Sequence, residues 1–105
     1  MKFKEGPLTS VLVTTGRRTG KEHAVELRAV FHDGKFYFSR RNPNSDWLKN
    51  AIATPLVKIT INDTTFPGYA SLVKDKKLAK KISSMKYTDR RAEESRTVLE
   101  VIPCE

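Results

Sequence analysis

The chain of 105 residues has a single cysteine, Cys104. No internal disulfide framework can therefore hold it, and such cysteine usage leads us to expect a reducing, cytoplasmic setting. No apolar run approaches the roughly 20 residues that span a bilayer. Met1-Lys2-Phe3-Lys4-Glu5-Gly6-Pro7 lacks the apolar stretch of a signal peptide. The spacings HExxH, CxxC and GxSxG and the Walker pattern are missing, which removes the usual sequence support for metal, triad and nucleotidase chemistry. No acid–base pair stands out, so the residues assign no catalytic side chain. Acidic residues are few: Lys+Arg 20 against Asp+Glu 12 leaves a net charge of +8. With 38% apolar and 30% charged residues the composition is that of a soluble globular chain. Its length suits one core and one domain over residues 1–105.

The positive charge is concentrated. The segment from Lys74 to Arg91 carries six Lys and two Arg against Asp75 and Asp89. A second group comprises Arg17, Arg18, Lys21, Arg40 and Arg41. Such a field attracts anions without naming them: nucleic acid, acidic lipid or a phosphorylated cofactor. The most specific stretch is Thr14-Thr15-Gly16-Arg17-Arg18-Thr19-Gly20-Lys21, which lies between two strand-like segments. Glycine permits positive φ and close backbone approach, and arginine offers a planar fork to phosphate. These residues make an anion cradle; they equally make a solvated basic hairpin tip.

Alternation and turn residues place the elements. Strands are expected near Thr9–Thr15, His23–His32 and Lys35–Ser39, the last two joined by Asp33-Gly34, a type I′ hairpin signal. A short helix over Ser45–Ala53 buries Trp47, Leu48, Ala51 and Ile52 and is stopped by Thr54-Pro55. Strands follow at Leu56–Asn62 and Thr64–Val73. The second of these is interrupted at Pro67-Gly68, where proline implies an edge or a bulge. A helix over Asp75–Tyr87 has the stripe Leu78, Ile82 and Met85 for packing over a barrel end, one more turn falls within Thr88–Glu94, and a strand over Arg96–Ile102 ends the chain. The order βββ-α-ββ-α-β describes a mainly β fold with flanking helices, a split antiparallel barrel of about six strands. Open strand edges and the small barrel together lead us to expect a homodimer.

The stretch from Val13 to Lys21, Asp33-Gly34, Ser39-Arg40 at a strand end, Asp46-Trp47-Leu48-Lys49-Asn50, Thr54-Pro55 and the ending Arg96–Glu105 resemble the deazaflavin-dependent nitroreductase family. That family lies within the FMN-binding split-barrel superfamily, which includes the pyridoxamine-phosphate oxidases. The resemblance implies an oxidoreductase that passes hydride to a small oxidised substrate. Its phosphorylated cofactor, FMN or a deazaflavin coenzyme, would lie between the subunits of a homodimer. Carried over by position, cofactor contacts fall on Thr15, Arg17, Arg18, Thr19, Gly20, Lys21, Ser39, Arg40, Arg41 and Trp47, with Arg18 and Arg40 first for phosphate. Where the family often has a further basic residue the chain has His23, and where a Gly-Gly is usual it has Arg41-Asn42. Since the cofactor does the hydride chemistry, the shortage of acid–base residues fits. Two other readings stand beside this one. The first is a flavin-binding protein without turnover. The second is a small basic barrel for single-stranded nucleic acid, which the lack of aromatics interleaved with basic residues disfavours.

Overall fold

The computed structural model describes residues 3–40, 45–86 and 97–104. The elements run β1 (Gly6–Thr15), β2 (Glu22–His32), β3 (Lys35–Arg40), α1 (Asp46–Ala53), β4 (Leu56–Ile61), β5 (Thr64–Leu72), α2 (Lys76–Lys86) and β6 (Thr97–Pro103). The strands close an antiparallel barrel in the order β1-β2-β3-β6-β5-β4, so each strand is paired on both sides and the expected open edges do not exist. Side chains alternate. Leu12, Ala29, Phe36, Phe38, Ile59, Leu99 and Val101 point inward and form the main core. Asp33 and Gly34 both have positive φ, 52° and 77°, as the type I′ reading of the β2–β3 hairpin requires.

β5 continues through Pro67 and Gly68, contrary to the expected interruption. The Pro67 carbonyl accepts from the Cys104 N–H at 2.9 Å. In an antiparallel strand a residue's N and C=O face the same neighbour, so the missing N–H of Pro67 falls where β5–β6 pairing ends and no rung to β4 is lost. Gly68 is forced by packing: a Cβ there would stand 2.6 Å from Val101 Cγ1.

The helices serve different walls. α1 closes one end of the barrel with Trp47, Leu48 and Ala51. Ile52, expected on the buried stripe, is 48% exposed, while Asn50 is buried. Asp75 begins α2 by accepting from the N–H groups of Lys77 at 2.9 Å and Leu78 at 3.4 Å, a side-chain cap. The stripe of α2 does not plug an end. Leu78, Ala79, Ile82 and Met85 form a separate cluster with Val30, Tyr37 and Val98, which face outward from β2, β3 and β6. Lys76, Lys77, Lys80 and Lys81 remain exposed on the opposite face. Tyr87, the turn expected within Thr88–Glu94, and Arg90 and Arg91 lie outside the described residues.

Candidate functional site

The barrel end that α1 covers also carries the β1–β2 turn. Gly16 N–H donates to the Lys21 carbonyl at 2.7 Å, and Gly20 N–H donates to the Gly16 carbonyl at 2.9 Å. Lys21 N–H donates to Thr19 Oγ1 at 3.2 Å, and Gly20 takes φ of 72°. The turn is thus closed by its own backbone. At Gly16 a Cβ would stand 2.7 Å from His23 Nε2 and 2.8 Å from Thr19 Oγ1, so only hydrogen there lets those two side chains gather over the main chain.

Between this turn and the first turn of α1 lies a cleft of about 650 Å³. The hairpin contributes Thr14, Gly16, Arg17, Arg18, Thr19 and His23, with Val25 from β2. The helix side contributes Ser45, Asp46, Trp47 and Asn50. Trp47 is anchored edge-on to Phe38, with ring centroids 6.3 Å apart, so it presents a fixed apolar wall. The Thr14 side chain follows the inward alternation of β1 after Leu12. Its Oγ1 is buried and has no hydrogen-bond partner among the described residues. A buried hydroxyl left this way costs about 1–3 kcal/mol.

The two adjacent arginines diverge. Arg17 turns onto α1. Its N–H donates to Asn50 Oδ1 at 3.3 Å, its Nη1 donates to the same oxygen at 2.7 Å, and its Nη2 reaches Asp46 Oδ1 at 3.4 Å. Arg18 is exposed, lines the cleft and has no acidic partner among the described residues.

Of the ten residues expected from the sequence, Arg17, Arg18, Thr19 and Trp47 line the cleft. Thr15, Gly20 and Lys21 belong to the same hairpin but do not line it. Ser39 is buried in β3, away from the cleft lining. Arg40 ends β3 opposite Thr97, and Arg41 lies outside the described residues. Of the other aromatics considered, Tyr37 is buried with its hydroxyl donating to Glu100 at 3.0 Å, and Tyr69 faces solvent. The structure adds Thr14, Val25, Ser45, Asp46 and Asn50, and it places His23 at the cleft. Asn50 left one trace in the sequence: it is a polar residue inside the turn-and-a-half that carries Trp47, Leu48 and Ala51.

The fold is shared with known proteins. Among solved structures, an F420-H2 dependent reductase is similar at a TM-score of 0.69 and 21% identity, over 89% of this chain and 92% of that one. A protein described as a domain-swapped dimer matches at 0.73 and 24% identity, over 89% and 78%. A Listeria innocua protein provisionally assigned as a pyridoxamine 5'-phosphate oxidase matches at 0.72 and 16%, over 92% and 84%. These likenesses establish the split-barrel fold. No curated protein matches the chain significantly. The family model for F420H(2)-dependent quinone reductase, by contrast, matches residues 1–104. Of the two cofactors open to the sequence, this selects the deazaflavin. The chain belongs to the F420H(2)-dependent quinone reductase family and is a deazaflavin-dependent oxidoreductase.

Proposed function

We propose that the cleft between the Gly16–Lys21 turn and α1 holds the deazaflavin coenzyme, its phosphate at Arg18, and that the reaction reduces a quinone or a similar small two-electron acceptor. The observation that carries this reading is Arg18: an arginine without an acidic partner among the described residues, on a turn closed by its own backbone, at the rim of a cleft that Val25 and Trp47 also line. The residues fit the group. The rim supplies Arg18, Thr19 and His23 to an anion. Val25 and Trp47 supply the apolar part of the lining to a ring system, and the Thr14 hydroxyl is a buried polar group with bonding capacity to spare.

The reduced coenzyme, when bound, supplies a hydride. The chain's own part is binding and orientation. Arg18 gives charge-assisted bonds, roughly twice as strong as neutral ones. Trp47, pinned by Phe38, sets the plane of the apolar wall. Lys21, just before β2, and Arg40, the last residue of β3, add to the positive charge of the chain, which draws an anionic cofactor in.

A homodimer is part of this proposal, but its support is not strand edges. Leu56, Tyr69 and Ile102 stand side by side on β4, β5 and β6, Leu56 opposite Tyr69 and Tyr69 opposite Ile102. They are 51%, 58% and 45% exposed, a contiguous apolar row of the kind that marks interaction surfaces. No described helix is long and apolar enough to cross a membrane, and the lone Cys104 suits a cytoplasmic location.

The test is equilibrium titration with the reduced and oxidised deazaflavin coenzyme and, separately, with FMN, followed by cofactor fluorescence. Saturable binding of the deazaflavin, then its oxidation on adding a quinone, is expected. A folded protein that binds no deazaflavin refutes the site. One that binds it but oxidises it with no quinone refutes the substrate class. Sedimentation should show a dimer that Tyr69→Arg dissociates.

A further inference from the structure

Arg17 and Arg18 are neighbours of one type, yet the fold gives them opposite surroundings. Asn50 Oδ1 accepts from both the main-chain N–H and the guanidinium of Arg17, at 3.3 and 2.7 Å. Asp46, one helical turn earlier, takes the other guanidinium nitrogen at 3.4 Å. Asn50 is 5% exposed while the apolar Ile52 of the same helix is 48% exposed. A polar side chain thus occupies a buried helix position, and its carbonyl oxygen is directed at one residue 33 positions upstream.

We infer that Asn50 is a positioning residue for anion binding: it clamps Arg17 to α1 so that the turn presents Arg18 to the cleft, with Arg17 acting as a strut and Arg18 as the grip. The inference rests on the reading that the cleft takes the phosphate of the coenzyme. A main-chain donor is what distinguishes a clamp from a surface ion pair: the Arg17 N–H gives its hydrogen bond to Asn50 Oδ1. Two long side chains meeting in water fix little. A bond from a buried side chain to the peptide N–H just before Arg18 fixes the direction in which the next residue leaves. Asp46, 88% exposed at its side chain, adds charge to hold the guanidinium, but it is Asn50 that reaches the backbone. Neutralising Arg17 in this way also leaves a single unneutralised guanidinium on the turn, so the turn directs one arginine, not two, at the ligand.

The experiment is a double-mutant cycle on the full chain, read as the dissociation constant of the deazaflavin coenzyme by its fluorescence. Arg18→Ala is expected to weaken binding about 10- to 100-fold. Asn50→Leu, which leaves Arg18 in place, is expected to weaken it about 10-fold, and Asn50→Asp, which keeps oxygen acceptors for both donors, to restore it to within a few fold. If Asn50 acts through Arg18, the Asn50→Leu/Arg18→Ala pair binds about as weakly as Arg18→Ala alone; independent roles would multiply. Unchanged affinity in Asn50→Leu, or multiplied losses in the pair, overturns the inference. Should Asn50→Leu fail to fold, Arg17→Met takes its place in the cycle. Losses that multiply with Arg18→Ala would then show Arg17 gripping the phosphate itself. The wild-type titration alone tests the site: a folded wild-type chain that binds no coenzyme removes that reading and this inference together, whereas wild-type binding with an indifferent cycle removes the inference alone.

Discussion

The two ends of the barrel are closed by opposite means. At one end Phe3, Phe31, Phe36 and Phe66 stack against one another, with centroids 4.9 Å apart for Phe31–Phe36 and 5.4 Å for both Phe3–Phe36 and Phe36–Phe66. At the other, α1 lays Trp47, Leu48 and Ala51 over the core, but its first turn and the facing hairpin bring together Arg17, Asp46 and Asn50, and the buried hydroxyl of Thr14 lies alongside. The first end is filled by these rings, and its polar contacts among the described residues, Glu5 with His32 and with the Asp33 N–H, sit exposed outside them. The second carries a buried hydroxyl without a partner among the described residues and an arginine without an acidic one. Apolar packing suffices to shut a barrel, so the polar groups at the second end are there for something besides closure. Buried polar groups left unsatisfied are costly, and such costs concentrate at functional sites.

The sharpest way to break the comparison is to cut each end in turn. Phe36→Ala, at a residue that is fully buried, should cost roughly 3–5 kcal/mol in urea denaturation, while the folded fraction keeps its coenzyme affinity. A comparable loss of affinity would mean the two ends are not separable. Arg18→Ala should do the converse: binding falls about 10- to 100-fold, and the unfolding free energy changes by less than about 0.5 kcal/mol, as for an exposed residue.

The wall beneath α2 offers a control remote from both ends. Burial first, and then the hydrogen bond to Glu100, push the Tyr37 hydroxyl up to about 12. The neutral phenol is therefore the form the fold favours. Its contribution is complete below the ordinary tyrosine value near 10 and is lost as pH rises from there through about 12. Stability should fall over that alkaline window by about 2 kcal/mol more in the wild type than in Tyr37→Phe; equal slopes in the two proteins would show that Tyr37 is not the titrating group. The smallest effect belongs to Thr14→Val. Removing a hydroxyl that has no described partner should leave stability unchanged or raise it by up to about 1 kcal/mol. A large loss on denaturation would show that the hydroxyl is satisfied in the free protein, and a loss of coenzyme affinity at unchanged stability would identify it as a ligand contact.

Several expectations changed once the chain closed on itself. The edge expected at Pro67 disappeared because the proline nitrogen faces the point where β5–β6 pairing ends. The stripe of α2 was legible as Leu78, Ile82 and Met85, but not its destination, since an amphipathic helix covers an outer wall and a barrel end equally well. Ile52 was expected inside and Asn50 was passed over, because apolarity ranks side chains by transfer cost, whereas Asn50 is buried by a bond to a residue 33 positions away.

What the sequence determined by itself is the set of properties that neighbours along the chain decide. The β2–β3 turn followed from Asp33-Gly34, the alternation that puts Phe36 and Phe38 on one face and Tyr37 on the other followed from strand period, and the basic glycine-containing turn followed from composition. The division of labour within that turn was not available there. Arg17 and Arg18 are chemically identical, and nothing local separates them. They become different only when α1 brings Asp46 and Asn50 across to one of the two, because hydrogen bonds over such distances exist only after the barrel has closed.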